Sequence, residues 1–216
     1  MRNRFVVLCT LAQVGVVALA AASFPDPPKA TPPAEPKATA VLAGGCFWGL
    51  QGIYEHMKGV IETQVGFAGG AKATAHYDMV SEGNTGHAES IKITYDPSKI
   101  SYGDLLKVFF AAAHDPTTLN RQHYDVGTQY RSAIFYANDE QKKIAEEYIQ
   151  ELNNAHVFKD PIVTKISPLT GFYAAEDYHQ HFLDHNPTQG YIAAMEIPLQ
   201  KEYKEKFPEL WVKESK

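Results

Sequence analysis

Cysteine is almost missing from this chain of 216 residues: only Cys9 and Cys46 occur. Cys9 lies in a segment read below as a leader, so the mature domain keeps one thiol and no internal disulfide. Stability must then come from a buried core, and the length suits one sizeable domain rather than two. No run of Lys or Arg occurs after the leader and the formal net charge is -5, so there is no electrostatic footprint for nucleic acid or an anionic membrane surface. A glycine-rich dinucleotide fingerprint and internal repeats are absent too, which leaves no sign of a Rossmann site or a solenoid. Hydrophobic residues at 44% and charged residues at 21% exclude a disordered or all-membrane chain.

What is present starts with MRNR and then FVVLCTLAQVGVVALAAA, an apolar run ending in small residues with Ala-x-Ala cleavage sites before Ala21 or Ser23. Residues 1–22 are expected to be a signal peptide or, given the length of the run, a signal anchor. Export to the periplasm or another extracytoplasmic space follows, with membrane contact only if the leader stays uncleaved. Cys9 makes no lipoprotein site, because Leu8 precedes it and it comes too early. Residues 23–38 contain FPDPPKATPPAEPK, whose prolines remove backbone donors and favour an extended tether. The catalytic domain is expected over residues 39–216.

Within it, ATAVLAGG reads as a buried strand, and Trp48, Leu50, Ile53, Tyr54 and Met57 follow at helical spacing. SIKITYD alternates as a strand should. SYGDLLKVFFAAAHD opens with a Ser101/Asp104 cap pattern and an Ile100/Leu105 staple, and SAIFYA is another strand. Residues 138–154 put Ile144, Tyr148, Ile149 and Leu152 on one helical stripe, and PIVTKI reads as a further strand. Strands and helices intermix without regular alternation. The fold class expected is α+β, one two-layer domain with a mixed β-sheet and helices packed against it.

Cys46 falls at a strand-to-helix turn, where unpaired N–H groups and the positive end of the helix dipole favour thiolate over thiol. Gly44 and Gly45 allow a tight turn, and Phe47 and Trp48 put two aromatic surfaces beside the sulfur, able to grip a small apolar group. Taken alone, Cys46 could equally be a small buried hydrophobe.

GGCFWG, YDMVSEGNTGHAE, SIKITYDPSKISYGDLLKVFF, HDPTTLNRQ, DVGTQYRSAIFY, PIVTKI and FYAAEDYHQ occur in this order, and together they resemble the type A peptide methionine sulfoxide reductases from about Thr39 to Tyr191. The resemblance implies that Cys46 attacks the sulfoxide sulfur and that Glu89, in GHAE, protonates the sulfoxide oxygen. Oxygen leaves a sulfoxide only as hydroxide or water, so the chemistry needs an acid as well as a nucleophile. A carboxylic acid that is neutral at pH 7 requires burial among apolar walls.

The resemblance also implies that Tyr77 and Tyr130 donate to the sulfoxide oxygen and that Asp125 helps line the site through water. Phe47 and Trp48 become the wall for the substrate methyl group. Gln129 and His87 read as polar groups that hold loops. The resemblance implies methionine S-sulfoxide, free or in oxidised proteins, as substrate, with no bound metal, flavin or nicotinamide.

Many members carry a second cysteine after the NPxxGY stretch. Here NPTQGYI puts Ile192 in its place, so a sulfenic acid on Cys46 must be recycled by an external thiol: a thioredoxin-like protein, a glutaredoxin or glutathione. His123 stands where relatives usually show glycine, so the loop beside Asp125 is expected to differ.

Four rival readings compete, one of them a tethered non-catalytic binding module in which Cys46 would be inert and Glu89 solvated. A metal protein would use His179, His181 and His185, of which only the last two share a helical face. A thiol peroxidase would want a cation beside the thiolate, for which Arg131 is the basic residue adjoining a site motif. A cysteine hydrolase would need a histidine base next to Cys46.

Overall fold

The computed structural model describes residues 24–29 and 35–213, so the leader expected at residues 1–22 lies outside the described residues. The elements in chain order are β1 (Ala38–Ala43), α1 (Phe47–Tyr54), β2 (Val60–Ala68), α2 (Tyr77–Ser81) and β3 (Ala88–Tyr95). Next come α3 (Tyr102–Val108), continued by a π turn over Phe109–Ala113, the short strands β4 (Arg121–Gln122) and β5 (Asp125–Val126), and β6 (Ala133–Tyr136). α4 (Asp139–Asn154), β7 (Lys165–Pro168), β8 (Phe172–Ala174) and α5 (Phe182–His185) follow, and a π turn over Ile192–Glu196 leads into α6 (Ile197–Lys206).

Six strands form one sheet in the order β7-β6-β1-β3-β2-β8. All its pairs are antiparallel except β6 with β7, so the sheet is mixed. The two-residue period of β1 explains its burial. Ala40 and Leu42 face the large core built with α1, α3, α4 and α6, whereas Val41 and Ala43 face a smaller cluster with Ala68, Ala88, Ala133 and Phe135. The chain is therefore an α+β domain with helices packed on a mixed sheet.

Local signals set several boundaries. Ser101 Oγ accepts from the Asp104 N–H at 3.1 Å while Asp104 Oδ2 accepts from the Ser101 N–H at 3.0 Å, a capping box of about 1 kcal/mol that starts α3. Asn138 caps α4 through the Gln141 N–H at 2.9 Å, and the stripe behind it buries Ile144, Tyr148 and Leu152. PIVTKI is a strand only at its end. Pro161 has no N–H to give, and the Val163 N–H goes to the Pro116 carbonyl at 2.9 Å, so pairing with β6 starts at Lys165.

The proline-rich stretch is docked on the domain where it is described, rather than free. Phe24 packs edge-on against Phe158 at 6.2 Å, and Tyr148 Oη donates to the Pro25 carbonyl at 2.9 Å. A large apolar ring and an acceptor for a buried hydroxyl outweigh the freedom that the prolines already limit. Among the described residues, no helix is long and apolar enough to cross a membrane.

Candidate active site

Cys46 is the N-cap of α1, in extended geometry at the end of the turn that follows β1. Gly45 has φ +90°, and a Cβ there would meet Gln122 Cγ at 2.5 Å, so the turn needs glycine twice over. The first free amide of α1, Phe47 N–H, donates to Glu89 Oε2 at 3.1 Å, and the next, Trp48 N–H, faces the Cys46 sulfur. Glu89 reaches this point because β3 places it opposite Phe67 of β2, at the end of the sheet where α1 begins.

Cys46, Phe47, Trp48, Tyr77, Glu89, Asp125 and Tyr130 line a single cavity of about 180 Å³, joined there by Tyr191. All seven residues singled out in the sequence thus converge, although they come from α1, α2, β3, β5 and the turn Thr128–Tyr130. Trp48 forms the outer wall: it stacks on Phe182 with ring centroids 4.0 Å apart, and its Nε1–H donates to His179 Nδ1 at 3.2 Å. Phe47 is fully buried with Val65, Phe67, Val80 and Ala175, so it backs the cavity instead of walling it openly.

Burial raises the Glu89 carboxyl to about 8; the Phe47 N–H opposes this, and the nearby Asp125 and Glu196 add to it. Glu89 is therefore a neutral acid at pH 7. Burial, and then the Glu89 charge, raise the Tyr77 hydroxyl, and the same causes with Asp125 raise that of Tyr130. Both stay protonated as donors.

The pull towards thiolate expected at Cys46 is present but opposed. The Trp48 N–H does pull the thiol down, but burial first, then the carboxylates of Glu196 and Glu89, push it well above the ordinary cysteine value. The helix end is real, yet it is outweighed by three acidic neighbours and desolvation. Proton loss from Cys46 is therefore opposed, and a carboxylate beside the sulfur would assist it.

Glu196 is the carboxylate beside the sulfur, and no sequence pattern singled it out. It is 4% exposed, and its carboxylate lies beside the Cys46 thiol and the Tyr191 hydroxyl. Burial lifts it to about 7, less than Glu89 because these two polar neighbours favour its charge. The one proton of Tyr191 Oη goes to Asp125 Oδ2 at 2.5 Å, so the hydroxyl sits between the two carboxylates. The one trace of Glu196 in the sequence is Gly49, three residues after Cys46: a Cβ there would lie 1.8 Å from Glu196 Oε2. Gly49→Ala and Glu196→Gln should therefore each slow single-turnover chemistry, by about a hundredfold, at the low end of measured acid–base effects. A rapid-quench rate equal to wild type in Glu196→Gln would remove the base from the scheme.

His123 has φ +50°, a left-handed residue in the β4–β5 hairpin, a backbone that glycine adopts without strain. Asp125 still reaches the cavity. His123→Gly should leave activity unchanged and raise stability by about 1 kcal/mol, read as the denaturation midpoint; lower stability would show that the histidine side chain matters more than its backbone.

The other motif residues hold loops. His87 Nδ1 accepts from the Gly70 N–H at 3.2 Å, and Gln129 Nε2 donates to the Ser81 carbonyl at 3.0 Å. Arg131 donates to the carbonyls of Gly86, His87 and Thr128, so it braces a loop instead of serving the sulfur as a peroxidase would require. No histidine lines this cavity, and none is hydrogen-bonded to Cys46 among the described residues as a hydrolase base would be; His123 borders a smaller void on the other side of the sulfur. His179, 1% exposed and held by Trp48, is likewise no partner of His181 and His185 in a metal cluster.

A nucleophilic sulfur between an acid and a base, walled by aromatic rings, defines a thiol-dependent oxidoreductase of the sulfoxide-reducing kind. The family model of peptide methionine sulfoxide reductase matches residues 38–211. The chain is 53% identical over 183 residues to peptide methionine sulfoxide reductase MsrA 2 of Mesorhizobium japonicum, covering 85% of this chain and 92% of that protein. It is 48% identical over 168 residues to peptide methionine sulfoxide reductase MsrA 2 of Synechocystis sp., covering 78% of each. The solved methionine sulfoxide reductase A of Corynebacterium diphtheriae superposes with a TM-score of 0.61 at 35% identity, over 76% of this chain and 86% of that one. The chain belongs to the peptide methionine sulfoxide reductase family, and its activity is the reduction of methionine sulfoxide to methionine.

Proposed function

We propose that the protein reduces the S epimer of methionine sulfoxide, free or in oxidised proteins, with Cys46 as nucleophile, Glu89 as acid and Glu196 as base. The observation that carries this reading is the cavity in which the Cys46 sulfur, a neutral buried carboxylic acid and the aromatic face of Trp48 meet. Trp48 takes the substrate methyl group, and Tyr77 and Tyr130 donate to the sulfoxide oxygen. The Cys46 thiol gives its proton to Glu196 as its sulfur adds to the substrate sulfur, and Glu89 protonates the oxygen. The hydroxyl then passes to the Cys46 sulfur as both the S–O bond and the new S–S bond to the substrate break, the electron pair of the S–S bond staying on the substrate, which leaves methionine and a sulfenic acid on Cys46.

Recycling takes two external thiols. The first condenses with the sulfenic acid, releasing water and forming a mixed disulfide; the second frees Cys46 and leaves as a disulfide. This follows from the sequence, since Cys46 has no second cysteine outside residues 1–22 and Ile192, fully buried, stands at the place of the resolving residue. A thioredoxin-like protein, a glutaredoxin or glutathione supplies the thiols. Export to the periplasm or another extracytoplasmic space is supported by MRNR and the apolar run after it.

The test is single-turnover reduction of each epimer without reductant, with dimedone to trap sulfenic acid. One equivalent of methionine from the S epimer alone, with the label on Cys46, is expected. A label only after peroxide, and no methionine, would favour a thiol peroxidase.

A further inference from the structure

At the far end of α1 from Cys46, three potential ligands meet. A carboxylate oxygen of Glu55, a ring nitrogen of His56 and a carboxylate oxygen of Asp184 all lie within 4.8 Å of one another. Glu55 is 0% exposed, a burial that charged side chains almost never show unless paired. Its Oε2 is 2.7 Å from His181 Nδ1, but its Oε1 has no hydrogen-bond partner among the described residues. An orphaned carboxylate oxygen at such depth calls for a cation or a proton.

The histidine is prepared for a cation. His56 Nδ1 lies 3.1 Å from the Val212 carbonyl, which can only accept, so this nitrogen carries the proton. A protonated ring would make an ion pair with Asp184; with a proton on Nδ1 alone, Nε2 instead offers a lone pair towards Asp184 Oδ1, 3.3 Å away. That is an unfavourable pairing of two acceptors, but it is close to the roughly 3.4 Å between two ligands about 2.1 Å from one tetrahedral ion. Metal-binding histidines commonly donate their other N–H to a carbonyl in this way. The C-terminal end of α1 also carries the negative pole of the helix dipole.

We propose that Glu55, His56 and Asp184 form a structural site for one divalent cation of the zinc class, with His181 bracing the Glu55 carboxylate. Mixed imidazole and carboxylate donors suit Zn²⁺ or Co²⁺ better than Ca²⁺, which prefers oxygen alone. Asp184 is partly exposed, which gives the ion an entry path and a water as its fourth ligand. The histidines singled out in the sequence differ from this set: only His181 belongs, as a brace and not a ligand. His181 adopts φ +54° at the start of α5, and Gln51 Oε1 accepts its N–H at 2.7 Å, which fixes the ring beside Glu55. A bound ion would tie the end of α1 to α5 directly and, through His56, to the chain at Val212. It takes no part in the reaction at Cys46.

The experiment treats the full-length protein with EDTA, then titrates it with Co²⁺ and Zn²⁺, reading the cobalt spectrum, ion content after gel filtration and the thermal midpoint. One ion per chain, a raised midpoint and d–d bands without sulfur charge transfer are expected. Asp184→Asn and Glu55→Gln should each weaken binding by about tenfold or more, and His181→Ala by about tenfold. The Asp184 change is at a partly exposed position, so the fold survives it even if Glu55→Gln is poorly tolerated. Failure of the wild type to retain either ion would overturn the site. So would a charge-transfer band placing cobalt on Cys46, or affinity unchanged in Asp184→Asn.

Discussion

Cys46→Ser is expected to abolish sulfoxide reduction, with no methionine above background in single turnover and no dimedone adduct. A serine hydroxyl is far more basic than a thiol and a weaker nucleophile at sulfur, and its oxygen cannot hold the departing oxygen as a stable sulfenic acid. The loss should reach the limit of detection, because removing a covalent nucleophile has cost about a million-fold where the remaining machinery was intact. The fold should survive. Cys46 caps α1 without any side-chain hydrogen bond to the helix, and serine is a preferred N-cap residue. An unchanged or raised thermal midpoint together with lost turnover separates chemistry from unfolding. Measurable turnover in Cys46→Ser would mean that another group attacks the sulfoxide.

The parts of the molecule legible in the sequence are those set by neighbours along the chain. Ser101 and Asp104 are three residues apart, so their reciprocal cap can be read before the helix is seen. The position of Cys46 at a strand-to-helix turn follows from glycines and periodicity on either side. β2 was less legible, because Glu62 and Gln64 interrupt an apolar run that the sheet buries between β3 and β8. α6 carries Pro198 in its first turn and faces much solvent, so its periodic signal is weak.

The protonation state of Cys46 was legible only in part. A local rule, that a helix start favours thiolate, holds for the Trp48 N–H but cannot include Glu196, which lies 150 residues away and arrives through the packing of the π turn before α6 on α1. The convergence of Glu89, Tyr77, Tyr130 and Asp125 was readable through family motifs, not through spacing. Their cavity is made by five separate stretches of chain, and nothing in their separations encodes it.

Glu89→Gln is the second large effect expected. The amide keeps the size of the carboxyl, and its oxygen can still accept from the Phe47 N–H at the present 3.1 Å, so the fold and the cavity should persist. It can donate a hydrogen bond to the sulfoxide oxygen but cannot give up a proton, so the rate should fall by about 10²–10⁴. The pH dependence separates acid catalysis from mere binding. Wild-type Glu89 must be protonated, with its carboxyl at about 8, while Glu196 must be ionised, with its carboxyl at about 7. The single-turnover rate should therefore rise as pH passes about 7 and fall as it passes about 8, the two apparent values belonging to a coupled pair. Glu89→Gln should lose the alkaline limb and keep the acid limb, whereas Glu196→Gln should do the reverse. If the alkaline limb persists in Glu89→Gln with a near-normal rate, the proton reaches the sulfoxide oxygen from elsewhere, and Tyr77 and Tyr130 are the remaining donors at the cavity.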